Sequence, residues 1–181
     1  MKKEQAVYAS QQGLYAGLIQ GILYFLMYFF NRPSLASFTF GFVLILFVFT
    51  YPVVVTVRYR KNHGNVLIFK DTFFMLFLIS FIRGVLSGAI FLLLFHVIDP
   101  GLSDYIKEKT IENTMKMLQS FGSSEEAINE AIERLQNSPD QFSVNQQLKG
   151  TLWSIPIIAV FSLIGAAIIK KNPPVFKDSL N

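Results

Sequence analysis

A single arginine, Arg83, stands near the middle of the apolar run from Thr72 to Val97. A guanidinium carries five N–H donors and no acceptor, so its chemistry is the recognition of carboxylate, phosphate or carbonyl oxygen. Placing that charge in hydrocarbon costs about 2.5–3.5 kcal/mol at the least. The position therefore predicts that Arg83 faces protein rather than lipid. No Asp or Glu lies in any of the four long apolar segments of this chain, which leaves neutral oxygens to compensate it. Gln20, near the middle of the first segment, is the main candidate, with Tyr24, Thr50, Ser80 and Ser87 behind it. Two uses follow from the chemistry. Arg83 receives an anionic group, such as a lipid phosphate or a carboxylate from a partner helix, or it serves structure alone by bonding free carbonyls and hydroxyls or by snorkelling.

Other chemistry is thinly represented. With no cysteine in the chain, thiolate metal sites, iron–sulfur clusters, disulfides and cysteine nucleophiles are excluded. The only two histidines, His63 and His96, have no cluster of ligands nearby in sequence, so no metal or other cofactor is expected. The apolar segments offer hydroxyls but neither acids nor a His–Ser pair of suggestive spacing, which argues against a membrane hydrolase and against an enzyme. The formal net charge of +4 does not imply nucleic acid, because no basic patch with aromatics sits on a soluble module.

Glycines give the next pattern. Gly13, Gly17 and Gly21 recur at four-residue spacing in the first apolar segment, and Gly84 and Gly88 do so in the third, beside Arg83. Small residues at this spacing line one side of a helix and let two backbones approach closely. Packing of the first helix against the third, through both motifs, is the economical expectation, and it places Gln20 close to Arg83. Contact between copies of the chain is the other use of such faces.

The elements that must hold these residues are helices in a bilayer. Of 181 residues 52% are apolar, 15% are charged and 19 are phenylalanine, a composition richer in hydrocarbon than an ordinary soluble domain. Four segments, about 13–30, 37–57, 72–97 and 150–169, are long enough at about 1.5 Å per residue to cross a hydrocarbon core of about 30 Å. Unpaired peptide groups in hydrocarbon cost several kcal/mol each, so such segments are helical unless they close a barrel, and nothing here alternates as barrel strands do. The expected class is all-α, with four transmembrane helices. Lys2 and Lys3 before an apolar run also fit a signal peptide with Ser34-Leu35-Ala36 as its cleavage site. That run is longer than a usual signal core, however, and Pro33 falls within the would-be recognition site.

Charge sets the expected orientation. Lys2, Lys3, Arg58, Arg60, Lys61, Lys170, Lys171 and Lys177 all fall on one side of a four-helix count, which makes both termini cytoplasmic. The other side carries Arg32 and the segment 99–149, where nine acids meet five basic residues. Asp99-Pro100 reads as an N-cap followed by proline at the first helical position. Gly122 reads as a stop, Ser123 with Glu126 as a capping box, and Asn137-Ser138-Pro139 as a break. Segment 99–149 is thus expected to form an extracytoplasmic hairpin of two amphipathic helices. Lys70 and Asp71 read as an ion pair with an N-cap, and Trp153 and Tyr59 as interface anchors.

Several of these features together resemble a bacterial integral-membrane family known only as domain of unknown function 4199. They are the Met1-Lys2-Lys3 lead, the basic turn at His63-Gly64, Asp99-Pro100 closing the third apolar helix, the segment Ser123-Ser124-Glu125-Glu126-Ala127-Ile128, and the tail Lys170-Lys171-Asn172-Pro173-Pro174. The resemblance implies a four-helix membrane protein without an assigned activity, so it carries over no site residues. The reading that results is a non-enzymatic bacterial inner-membrane protein. Its partners are the lipid bilayer and a second copy or another membrane protein, engaged through glycine faces and the external hairpin. The alternative is a small transporter or anionic-lipid-binding protein centred on Arg83 with Gln20. Transport would ask for helices broken at mid-membrane, whereas Pro52 and Pro156 lie away from the centre.

Overall fold

The computed structural model describes residues 1–138 and 142–172. Pro139, Lys177 and the Pro173-Pro174 pair lie outside the described residues. Six helices follow in order: α1 (Lys3–Phe30), α2 (Phe38–Asn62), α3 (Phe69–Leu93), α4 (Leu102–Ser120), α5 (Glu125–Gln136) and α6 (Val144–Ile169). Four of them, α1, α2, α6 and α3 with its extension to Ile98, are long and apolar enough to cross a membrane. This is the architecture of a multi-pass membrane protein.

Every one of these four begins or ends outside its apolar stretch. α1 starts at Lys3, well before Gly13, because Glu4 at its N-terminal turn suits the helix dipole and Gln5 reaches back to the Lys2 backbone N–H at 2.6 Å. A 3₁₀ turn over Arg32–Ala36 with proline near its start joins α1 to α2. Ser37 then caps α2, its hydroxyl accepting the Phe40 N–H at 3.2 Å. α3 does not stop at Leu93 but widens into a π turn over Leu94–Ile98, closed by the Asp99 N–H on the Leu94 carbonyl at 3.0 Å. Ser143 caps α6.

The third helix is the hub, with α1, α2 and α6 all packed on it. The chain reverses at each short turn, so α1 and α3 run in the same direction and their first residues share one end of the bundle. There the Met1 amino group meets Asp71 at 3.0 Å, Gln5 donates to Asp71 at 3.1 Å, and Leu67 and Lys171 pair their backbones antiparallel. Arg60 also donates to the Ile169 carbonyl. The expected Lys70–Asp71 pair is replaced by these contacts, because Asp71 turns toward α1. Tyr59, expected as an interface anchor, is instead buried against Tyr8 (ring centroids 4.8 Å apart) while Trp153 stays exposed.

The opposite end is closed by a different set of polar contacts. Asp99 accepts from Arg32 at 2.7 Å and from the Tyr28 hydroxyl at 3.0 Å, and the Arg32 guanidinium lies over the Tyr105 ring, 4.5 Å from its centroid. Asp99 is therefore not the cap of α4. Its carboxylate is taken by Arg32, a cation that would otherwise stand half-buried without a counter-charge, and the helix starts two residues later, after Gly101. α4 crosses the α1–α2 turn, where Asn113 donates to the Ala36 carbonyl at 3.2 Å. α5 folds back along it, with Lys107 near the start of α4 donating to the Gln136 carbonyl at the end of α5. Gly122 terminates α4 with a left-handed φ of 71°, and Ser124, one residue beyond the expected cap, accepts the Ala127 N–H at 3.3 Å.

On α4, Glu112 binds Lys109 and Lys116, each at 2.6 Å, and these bonds hold its carboxyl at about 2. Lys109 is held above the ordinary lysine range by the same bond. The pairing therefore supports α4 above the unfolded carboxyl value and is lost as pH falls through the depressed one. A carboxyl ¹³C titration of the full chain is expected to show Glu112 ionising near 2, and near the ordinary carboxylate range in a Lys109→Met/Lys116→Met variant. A wild-type midpoint above about 4 would contradict the arrangement.

Candidate functional site

α1 meets α3 along its glycines. A Cβ built on Gly13 would stand 2.8 Å from the Ile82 Cβ and 3.0 Å from the Ile79 carbonyl oxygen, and one on Gly17 would stand 2.9 Å from the Leu86 Cβ. At Gly21 the closest atom is the Ile90 Cδ1. Ile82, Leu86 and Ile90 are themselves spaced by four, so one ridge of α3 lies in a groove cut by the three glycines of α1. This approach brings the polar neighbours of those residues together.

Arg83 is 7% exposed. One of its terminal nitrogens donates to the Gln20 Oε1 at 2.6 Å, and the Gln20 amide nitrogen donates to the Tyr24 hydroxyl at 2.7 Å. A short polar chain thus runs from mid-bundle along α1 toward the end where Asp99 sits. The Arg83 Nε finds no acceptor, and the buried hydroxyls of Ser80 and Ser162 have none either. Ser87 turns back to the Gly84 carbonyl at 3.3 Å, and Thr50 bonds the Leu46 carbonyl of its own helix on an exposed face. Of the five candidate partners only Gln20 hydrogen-bonds Arg83, with Tyr24 behind it. The two acids nearest in sequence, Asp71 and Asp99, are engaged at opposite ends of α3. Among the described residues Arg83 accordingly has no carboxylate beside it. The arrangement offers N–H donors to oxygen acceptors.

Gly84 and Gly88 do not join this packing. No heavy atom lies within 4 Å of a Cβ built on either. They stand two residues, about 200° around the helix, from Ile82 and Leu86, hence on the far side of α3 from α1. The expectation that both glycine motifs form the α1–α3 contact is corrected on this point. A glycine groove needs bulky knobs opposite it, and two grooves face to face would leave a void.

Among the described residues no three His, Asp or Glu side chains gather to hold a metal ion. His96 bonds the Phe142 carbonyl at 2.9 Å and His63 stacks on Tyr59, ring centroids 3.9 Å apart. The Tyr28–Asp99–Arg32 cluster was not anticipated. Its signal lay in the spacing of Gln20, Tyr24 and Tyr28, polar groups every four residues along one side of α1, with Arg32 following four residues on in the turn.

A family model described as "Protein of unknown function (DUF4199)" matches residues 11–171, which takes in α1 from residue 11 onward, the other three long apolar helices and the α4–α5 hairpin. The chain belongs to this family. No curated protein and no solved structure matches the chain. DUF4199 membership assigns no reaction, so a role must be argued from the faces and charges described above.

Proposed function

We propose that this DUF4199 protein is a non-enzymatic membrane component that associates laterally with a second copy of itself through the open flank of α3. One observation carries the reading. Gly84 and Gly88 sit in the middle of the hub helix, where each glycine costs about 1 kcal/mol against alanine, yet neither makes any contact that needs a missing side chain. On the same side of α3 lie Phe73, Phe77 and Phe81, stacked in a ladder with centroids 6.0 Å apart. Together these five residues span about 80° of helix surface, a row of rings continuing into a notch. A neighbouring helix in that notch would use the glycines for close approach, as α1's glycines are used within the chain.

Charge distribution supports a cytoplasmic position for the end that carries Lys2, Lys3, Arg58, Arg60, Lys61, Lys170 and Lys171, with the α4–α5 hairpin outside the cytoplasm. The bacterial inner membrane is the location implied by the family resemblance.

The chain has no cysteine, so a single Val85→Cys substitution on the exposed flank reports contact cleanly. In membranes, mild oxidation is expected to give a covalent dimer. Adding Gly84→Leu and Gly88→Leu is expected to abolish it, while the chain still inserts and folds. An uncross-linked Val85→Cys protein, or a dimer indifferent to the leucines, would end the proposal.

A second reading rests on Arg83. Its unpaired Nε and uncompensated charge are what an anion-binding site in the bundle would require. The bond to Gln20 gives the guanidinium a structural partner, and that favours assembly over ligand binding as the primary role.

A further inference from the structure

At the cation-rich end, between the start of α1 and the end of α2, the surface opens into a cleft of about 420 Å³. The rings of Tyr8 and Tyr59 form part of its lining, with His63 stacked flat on Tyr59, interplanar angle 15°. The Tyr8 hydroxyl is spent on the Val55 carbonyl at 3.2 Å, and the His63 Nδ1 on the Tyr59 carbonyl at 2.9 Å. Tyr8 therefore presents ring surface, Tyr59 lies covered beneath His63, and the histidine presents its Nε2 edge. Lys3 and Glu4 also line the cleft, and neither forms an ion pair with any described residue. Deeper along α1, Val7, Gln11, Leu14 and Leu18 are exposed in one stripe that runs from the cleft toward the membrane centre.

We infer that this cleft holds one phospholipid whose headgroup carries both a phosphate and a primary ammonium, as in phosphatidylethanolamine. Charge complementarity names the occupant. The unpaired Lys3, with the His63 edge, meets the phosphate; the unpaired Glu4, beside the Tyr8 ring, meets the ammonium. A singly anionic headgroup would satisfy Lys3 and set its charge beside Glu4. A quaternary ammonium would offer Glu4 no N–H to accept. The acyl chain follows the exposed stripe from Val7 to Leu18. Arg83 has no part in this site, and the inference does not depend on self-association.

The test is native mass spectrometry of the full chain in mild detergent, with phosphatidylethanolamine, phosphatidylglycerol and phosphatidylcholine of matched acyl chains supplied together. One phosphatidylethanolamine is expected to be retained, about tenfold over either competitor. Glu4→Gln is expected to erase that preference while leaving phosphatidylglycerol retention equal or higher, and Lys3→Gln to weaken both lipids. Val7→Trp, which fills the cleft from an exposed position and alters no charge, is expected to lose the lipid. Lys171→Gln removes a cation from the same end away from the cleft and is expected to change nothing. Phosphatidylglycerol retained as well as phosphatidylethanolamine, an indifferent Val7→Trp, or a Lys171→Gln effect equal to that of Lys3→Gln would each overturn the assignment.

Discussion

Gln20→Leu is expected to destabilise the folded chain by about 2–3 kcal/mol, whereas Arg83→Leu is expected to be neutral or stabilising. The asymmetry follows from which group is left behind. Removing Gln20 strands a buried guanidinium that already lacks an acceptor at Nε. Snorkelling does not rescue it, because about 21 Å of helix separate Arg83 from Phe69 and about 22 Å from Ile98, the end of the π extension, beyond the reach of one side chain. Removing Arg83 instead deletes the charge together with its desolvation cost, and Gln20 keeps its bond to Tyr24. Replacement of a buried charge by a well-packed apolar residue is often tolerated for this reason. The double variant is expected to lie within about 1 kcal/mol of Arg83→Leu, so that the cost of losing Gln20 disappears once the arginine is gone. Unfolding measured by denaturant titration in lipid bicelles checks all three. Should Arg83→Leu cost as much as Gln20→Leu, the guanidinium contributes more to the fold than a tolerated burial, and the asymmetry argued from the stranded group is wrong.

The four apolar helices were legible because length and hydropathy alone specify a spanning helix, and that information is local. The use of Gly13, Gly17 and Gly21 in close packing was legible for the same reason, since a spacing of four on a helix defines one side. What periodicity does not carry is azimuth. In lipid a spanning helix is apolar nearly all round; Arg83 marks a side of α3 that faces protein, but Gly84 and Gly88 carry no side chain to show that they lie away from α1. Long-range charge pairing was hidden too. Asp99 reads locally as a helix cap and Asp71 as the partner of its neighbour Lys70, but each is claimed by a group more than sixty residues earlier in the chain, Arg32 and Gln5 respectively. Tyr59 failed in the same way. An aromatic residue near the end of a spanning helix suits an interface anchor, and only the arrival of Tyr8 from α1 makes it core.

Alanine at the five glycines is expected to separate them by more than 2 kcal/mol, with the sign changing between the two motifs. Gly13→Ala meets the Ile82 Cβ at 2.8 Å and the Ile79 carbonyl oxygen at 3.0 Å. Neither can swing aside, since one is fixed to the backbone and the other belongs to it, so α1 must move away from α3. Overpacking of this kind costs about 1–3 kcal/mol, and the displacement also stretches the 2.6 Å Arg83–Gln20 bond. Gly17→Ala, set against the Leu86 Cβ, is expected to cost nearly as much. Gly21→Ala is expected to cost less, because its nearest obstacle is the far end of a flexible isoleucine. Gly84→Ala and Gly88→Ala meet nothing and gain helix propensity, so the monomer is expected to become more stable by up to about 1 kcal/mol each. The same two substitutions are expected to weaken self-association, which separates a glycine kept for the fold from one kept for a partner. Denaturation of the monomer and cross-linking of Val85→Cys read the two effects independently. A destabilised Gly84→Ala monomer would place a packed neighbour within the chain on that flank and remove the reason for assigning it to a second copy.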